Sequence, residues 1–189
     1  MLRGNKVGLR ARRDSDVLTL QSELYDDIAI RVRADSRPWR PVPPTLDGSP
    51  YRVGAPVDDV ELFSVVDLAD GDRLAGEALL WGIDLHNRTA HVGVSLLPEF
   101  RGRAFGTDVV RVLCDYGFSL RGLHRLQIDT LVDNEAMVRA ATRVGFVREG
   151  VLRRSAWVDG AFSDIAVLGL LADEWENDRG DLELGKGLG

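Results

Sequence analysis

The chain is poor in several things. It has one cysteine, Cys114, in 189 residues, which excludes an internal disulfide and any cysteine-cluster zinc site; no metal site is expected. Lysine occurs only as Lys6 and Lys186, so nearly all of the 24 basic residues are arginine. We read this as the composition of a G+C-rich, bacterial genome. No apolar run reaches the roughly 18 residues that a membrane helix needs, and the opening MLRGNKVGLRARRD holds no apolar stretch of signal-peptide length. The expected setting is the cytoplasm, away from membranes. Positive charge is also in deficit: the formal net charge is −6. This argues against nonspecific nucleic-acid binding and suits a cationic substrate such as an amine. What is present is ordinary for a folded domain, 44% hydrophobic and 29% charged residues, and the length allows a core without staples.

Hydrophobic spacing orders the elements. Val7–Arg10 reads as a short strand. Asp14 to Asp16 offer cap residues, and Val17, Leu20, Leu24 and Ile28 share one helical face. Residues 37–56 hold six prolines, at 38, 41, 43, 44, 50 and 56, and form a helix-free loop containing Trp39 and Tyr51. Strands follow at 62–68, 74–85 and 89–97, with turns at Asp70-Gly71-Asp72 and His86-Asn87. A helix at 107–120, a strand at 126–131, a helix started by Asp133-Asn134-Glu135 and stopped by Gly145, and a last hairpin turning at Asp159-Gly160 complete the domain. Residues 1–176 are the expected domain and 177–189 an acidic, Gly-rich tail. The order predicts an α/β (α+β) single domain, a mixed and mostly antiparallel sheet with flanking helices.

The most informative stretch joins a strand to a helix: Leu96-Leu97-Pro98-Glu99-Phe100-Arg101-Gly102-Arg103-Ala104-Phe105-Gly106-Thr107. Small residues at 102, 104 and 106 let backbone N–H groups approach a ligand closely. The helix N-terminus adds about half a positive charge, and Arg101 and Arg103 can supply charge-assisted contacts. The arrangement suits a pyrophosphate. It lacks the Gly-Lys-Ser/Thr ending of a nucleoside-triphosphate loop and the three glycines of a dinucleotide fingerprint.

This loop resembles the acyl-CoA pyrophosphate loop of the GCN5-related N-acetyltransferase (GNAT) superfamily, Gln/Arg-x-x-Gly-x-Gly/Ala, with Arg101, Ala104 and Gly106 at the pattern positions and Ala104 a departure from glycine. Asp133-Asn134-Glu135 and Arg143-Val144-Gly145-Phe146-Val147-Arg148-Glu149-Gly150 follow in order. With Ser163-Asp164 and Asp173-Glu174-Trp175 they resemble the branch of ribosomal-protein N-terminal acetyltransferases. The resemblance covers residues 6 to 176. It implies a V-shaped gap between the strands ending near Leu97 and Thr130, with acetyl-CoA as co-substrate in it. Pantetheine would pair with backbone at Val94, Leu96 and Leu97 like an added strand. The pyrophosphate would lie on the amides of Arg101, Gly102, Arg103, Ala104, Phe105, Gly106 and Thr107, and Asn134 would hold the pantetheine arm or cap its helix. The Trp39 and Tyr51 loop would wall the acceptor cleft. A homodimer is compatible with this reading.

Two positions depart from the ribosomal branch. Met137 stands where that branch has a serine thought to help the thiolate leave, and Ala156 where it can have a glutamate base. A backbone N–H at a bulge near Ser95 or Leu96 can polarise the thioester. The polar groups left on the strands are Glu77, Asp84, His91 and Asp129, of which Glu77 and Asp129 are the catalytic candidates. The sequence therefore supports transfer of an acetyl or other acyl group to a primary amine, either a peptide α-amine or a small molecule. The competing reading is an acyl-CoA-binding sensor or interaction protein with little turnover.

Overall fold

The computed structural model describes residues 1–35 and 37–175, so the expected tail lies outside the described residues. Eight strands form one sheet in the order β1-β2-β3-β4-β5-β6-β8-β7. They are β1 (Leu2–Arg3), β2 (Val7–Arg10), β3 (Val60–Asp67), β4 (Arg73–Asp84), β5 (Thr89–Leu96), β6 (Arg125–Leu131), β7 (Val147–Val158) and β8 (Ala161–Leu171). Every pairing is antiparallel except β5 with β6. The α-helices that accompany them include α1 (Asp14–Leu20), α2 (Ile28–Ala34), α3 (Phe105–Asp115) and α4 (Glu135–Val144). The mixed, mostly antiparallel single sheet is the expected class.

Alternation along the strands divides the sheet into two faces. Ala78, Leu80, Ala90, Val92, Leu126, Ile128, Leu168 and Leu170 are buried on one face. This face packs under α3 and the turn after it, where Gly117 lies against Leu126 and Leu80. The opposite face carries Glu77, Leu79 and Trp81 on β4, paired with Ser95, Gly93 and His91 on β5. It is polar and only partly covered, and the site is built on it.

The structure corrects three sequence readings. A two-residue strand, β1, precedes the expected first one and pairs back on Leu9 and Gly8; two residues are too few to show a period. The first helix does not run through Ile28. A π-helical turn, Gln21–Tyr25, follows α1, and α2 restarts where Asp27 accepts from the Ile30 N–H. The wider turn shifts the helical register, so Gln21 and Tyr25 are buried while Ile28 is half exposed. A second π turn, Tyr116–Leu120, likewise ends the helix expected to run to Leu120.

The proline-rich segment forms no α-helix or strand, as its composition requires, yet it is packed down. Tyr25 donates its hydroxyl to the Arg40 carbonyl, Trp39 donates its indole N–H to the Tyr25 carbonyl, and Gln21 reaches the Val42 carbonyl. Tyr51 is buried. Beneath this lobe Asp16 is buried, and burial alone would raise its pKa. The Arg10 guanidinium, the Arg13 N–H and the Ser64 hydroxyl outweigh that and hold its carboxyl at about 2. This network ties the start of α1 to β2 and β3.

Candidate active site

β5 and β6 pair only at Thr89 with Arg125, Ala90 with Leu126 and His91 with Gln127. Beyond His91 the two strands diverge, which is the V-shaped gap. The Leu97 N–H donates to the Ala75 carbonyl on the β4 side. By alternation the backbone groups of Leu96 and Val94 point the other way, into the gap. Leu97 is thus turned away from the gap and its side chain is buried; Val94 and the N–H of Leu96 hold the open edge, the Leu96 carbonyl being taken by Arg101. The bulge expected near Ser95 or Leu96 lies one strand over. The β3–β4 register slips at Ala75, and Gly76 beside it comes so close to β5 that a Cβ there would stand 2.2 Å from the Ser95 carbonyl oxygen.

The loop after β5 makes one turn of 3-10 helix, Pro98–Phe100, and then enters α3. No side chain caps α3, so its first N–H groups have no intrahelical partner and face outward. Ala104, the N-cap, sits at φ +63, the left-handed region that favours glycine, which explains why glycine is the pattern residue there. Gly106 has open space around its Cα: an added Cβ would meet only a Leu96 methyl, at 4.0 Å. The two loop arginines differ. Arg101 donates Nε to the Leu96 carbonyl, while Arg103 lies over the rings of Phe100 and Phe105. The Phe105 side chain is buried, so only its backbone faces a ligand.

The loop is braced from the N-terminus. The buried Asp108 carboxylate, in the first turn of α3, accepts N–H bonds from Asn5, Lys6 and Val7, and Lys6 Nζ donates to the Arg103 carbonyl. Across the gap, Asn134 caps α4 by accepting from the Met137 N–H and donates to Thr130 Oγ1.

The partly covered face places the catalytic candidates at two poles. At the Ser95 end Glu77 is deeply placed. Burial raises its pKa, and Arg12, 2.8 Å away, only partly offsets this. Arg12 also donates to the Tyr51 carbonyl and lies over the Tyr51 ring, whose hydroxyl is pushed above its ordinary range by burial and by Glu77. At the apex of the gap His91 stacks on Trp81, ring centroids 4.2 Å apart, with Nδ1 3.4 Å from an Asp129 carboxylate oxygen. The neighbouring His91 ring and a hydrogen bond from Gln127 Nε2 hold Asp129 below the ordinary carboxylate range. Asp84 instead caps the β4–β5 turn, accepting from the His86 and Asn87 N–H groups. Cys114 is fully buried, its thiol pKa raised by burial. Among the described residues no cluster of His, Cys, Asp and Glu is arranged to hold a metal, and no helix is long and apolar enough to cross a membrane.

Residues 6–147 match the model of the acetyltransferase (GNAT) domain family. The chain belongs to that family. The family's description is that of an acetyltransferase. YdaF of Bacillus subtilis, named as a candidate ribosomal N-acetyltransferase, is 35% identical over 112 residues, 59% of this chain; the match spans about three fifths of that protein, 61%. YjcK of the same organism, a candidate N-acetyltransferase, is 29% identical over 181 residues, covering 90% of this chain and 97% of its own. Among solved structures, spermidine N-acetyltransferase from Vibrio cholerae in complex with CoA and spermine superposes with TM-score 0.75 at 21% identity, over 90% of this chain and 98% of that one.

Proposed function

We propose that the protein transfers the acetyl group of acetyl-CoA to the primary amine of a small molecule, with His91 taking the ammonium proton. The observation that carries this reading is the placement of the His91–Asp129 pair at the apex of the gap, on the strand whose free edge at Val94 and Leu96 suits the cofactor. The relatives' names point to different acceptors, a ribosomal protein and a polyamine, so the acceptor is argued from this chain. The packed lobe of α2 and residues 37–56 covers the acceptor face and favours a small molecule over a folded protein, as do Met137 and Ala156 at the two positions that depart from the ribosomal branch.

Asp129 stays ionised, with a carboxylate oxygen 3.4 Å from Nδ1; that neighbour favours the proton on Nδ1 and so leaves Nε2 as the basic nitrogen. Val94 lies three residues along β5, about 10 Å of strand, so the proton would reach the imidazole through ordered water rather than by direct contact. The neutral amine attacks the thioester carbon while the Val94 N–H polarises its oxygen. The tetrahedral intermediate collapses, the C–S bond breaks, and the amine nitrogen loses its second proton to solvent as it becomes the amide. Met137 offers the leaving thiolate no proton; with an ordinary thiol pKa of about 8.5 it can leave unassisted. Asp129 is thus a positioning residue. Glu77, held by Arg12, shapes the acceptor site.

The test is His91→Gln. Thiol release with an amine panel should fall by roughly a hundredfold or more at pH 7, the acidic limb of the kcat profile should vanish, and acetyl-CoA affinity should stay within about twofold. A variant that keeps its rate and its pH limb would move the base to Glu77. No thiol release by the native protein with any amine would favour a sensor.

A further inference from the structure

We infer that the acceptor is an amine that also carries an anionic group, a carboxylate or a phosphate, which Arg31 and Arg37 receive at the mouth of the acceptor face. This deepens the reading above and rests on it. The whole chain is acidic, but the lobe over this face is not. Residues 28–56 hold five arginines (31, 33, 37, 40 and 52) against two aspartates (35 and 47), a local charge of +3 in a chain of −6. Of these arginines Arg33 is paired with Asp133, while Arg31 and Arg37 converge on Asp35, so the segment does not share the global balance that suggested a cationic acceptor.

The ion-pair cluster beneath the lobe and at its mouth has a similar excess. Glu77 is matched by Arg12, and Asp35 lies between Arg31, at 2.7 Å, and Arg37, at 2.6 Å. Three guanidiniums meet two carboxylates. The Arg12 side chain is 5% exposed and its Nε, like that of Arg31, is buried without a hydrogen-bond partner. A buried donor left unpaired is costly, and an anion seated among these groups would lower that cost after a small side-chain shift. Arg37 supplies the accessible charge: its side chain is 79% exposed, and its guanidinium is near enough to Glu77 for their charges to interact. An acceptor with a second ammonium would instead meet net positive charge here, whereas one with a carboxylate or phosphate finds planar forks suited to it.

The experiment is calorimetry on the full chain saturated with CoA, using four amines of matched length: β-alanine, aminoethylphosphonate, propylamine and diaminopropane. The two anionic amines should bind at least roughly tenfold more tightly than propylamine, and diaminopropane most weakly. Arg37→Gln, at an exposed position and with its melting temperature checked for the lost Asp35 pair, should reduce the preference about threefold, and Arg31→Gln should reduce it further while the acetyl-CoA affinity is kept. Whichever anion binds better identifies the source of the negative group. Diaminopropane binding as tightly as the anionic amines would overturn the inference; so would a preference that survives both variants, or no binding of either anion at millimolar concentration. Because binding is read without turnover, a defect in His91 catalysis leaves this result unchanged, and the two readings fail separately.

Discussion

The two walls of the proposed site would recognise their ligands by different means. The proposed cofactor wall is made of backbone: the edge of β5 at Val94 and Leu96, and the uncapped N–H groups opening α3. Its side chains mostly turn away into the core, as Leu97, Phe100 and Phe105 do. The proposed acceptor wall is made of side chains gathered from distant segments, Arg12 before α1, Arg31 on α2, Tyr51 in the proline-rich segment and Glu77 on β4. A backbone site needs glycine, a turn and a helix start at fixed offsets. A side-chain site needs only that the fold bring charges together, which leaves no local pattern.

The sharpest break in the comparison is Gly106→Glu. The added Cβ has space in the protein, so the fold should survive, while a carboxylate placed among the outward N–H groups repels a pyrophosphate. Acetyl-CoA affinity should fall at least about a hundredfold, near 3 kcal/mol, with an unchanged melting temperature. Unaltered affinity by calorimetry would move the anion site elsewhere.

Asp16→Asn should act on the other wall through its frame. With a folded pKa of about 2 against an ordinary 3.8, the carboxylate contributes about 2 kcal/mol. Since the folded value is the lower one, this stability is fully present above pH 4 and is lost as pH falls towards 2. The variant should lose about that much at pH 7, measured by urea unfolding, and its stability should fall less steeply than the native chain's over pH 4 to 2. Equal slopes would mean that Asp16 does not carry this charge energy.

The smallest effect should come from Ala104→Gly. Relieving an alanine held at φ +63 should stabilise the fold by about 0.5–1 kcal/mol, less the backbone freedom that glycine adds to the unfolded chain. Acetyl-CoA affinity should change by less than about threefold. A large gain in affinity would show that the strained turn restricts the cofactor wall.

This contrast explains what the sequence disclosed. The succession of elements along the chain after β1, the turn from Arg101 to Thr107, the Asn134 cap and the Gly145 stop depend on neighbours in the chain, and each was legible. The π turns were not: five residues shift the phase of a helix without a composition signal, so Ile28 looked buried and Tyr25 did not. The facing of Glu77 and His91 was equally hidden, because alternation gives relative parity along a strand but not which face is covered. The link between His91 and Asp129 required the β5–β6 register, set by residues more than thirty positions apart.

That register has an energetic consequence. Three residue pairs are all that joins the β1–β5 ladder to the β6–β8–β7 ladder edge to edge. A cofactor lying along the open part of β5 would bridge both sides of this short seam and so act as a reversible staple. By mass action, ligand at a hundred times its dissociation constant adds about 2.7 kcal/mol to the folded state. That added protection should appear first in the slowed hydrogen exchange of the Val94 and Leu96 amides.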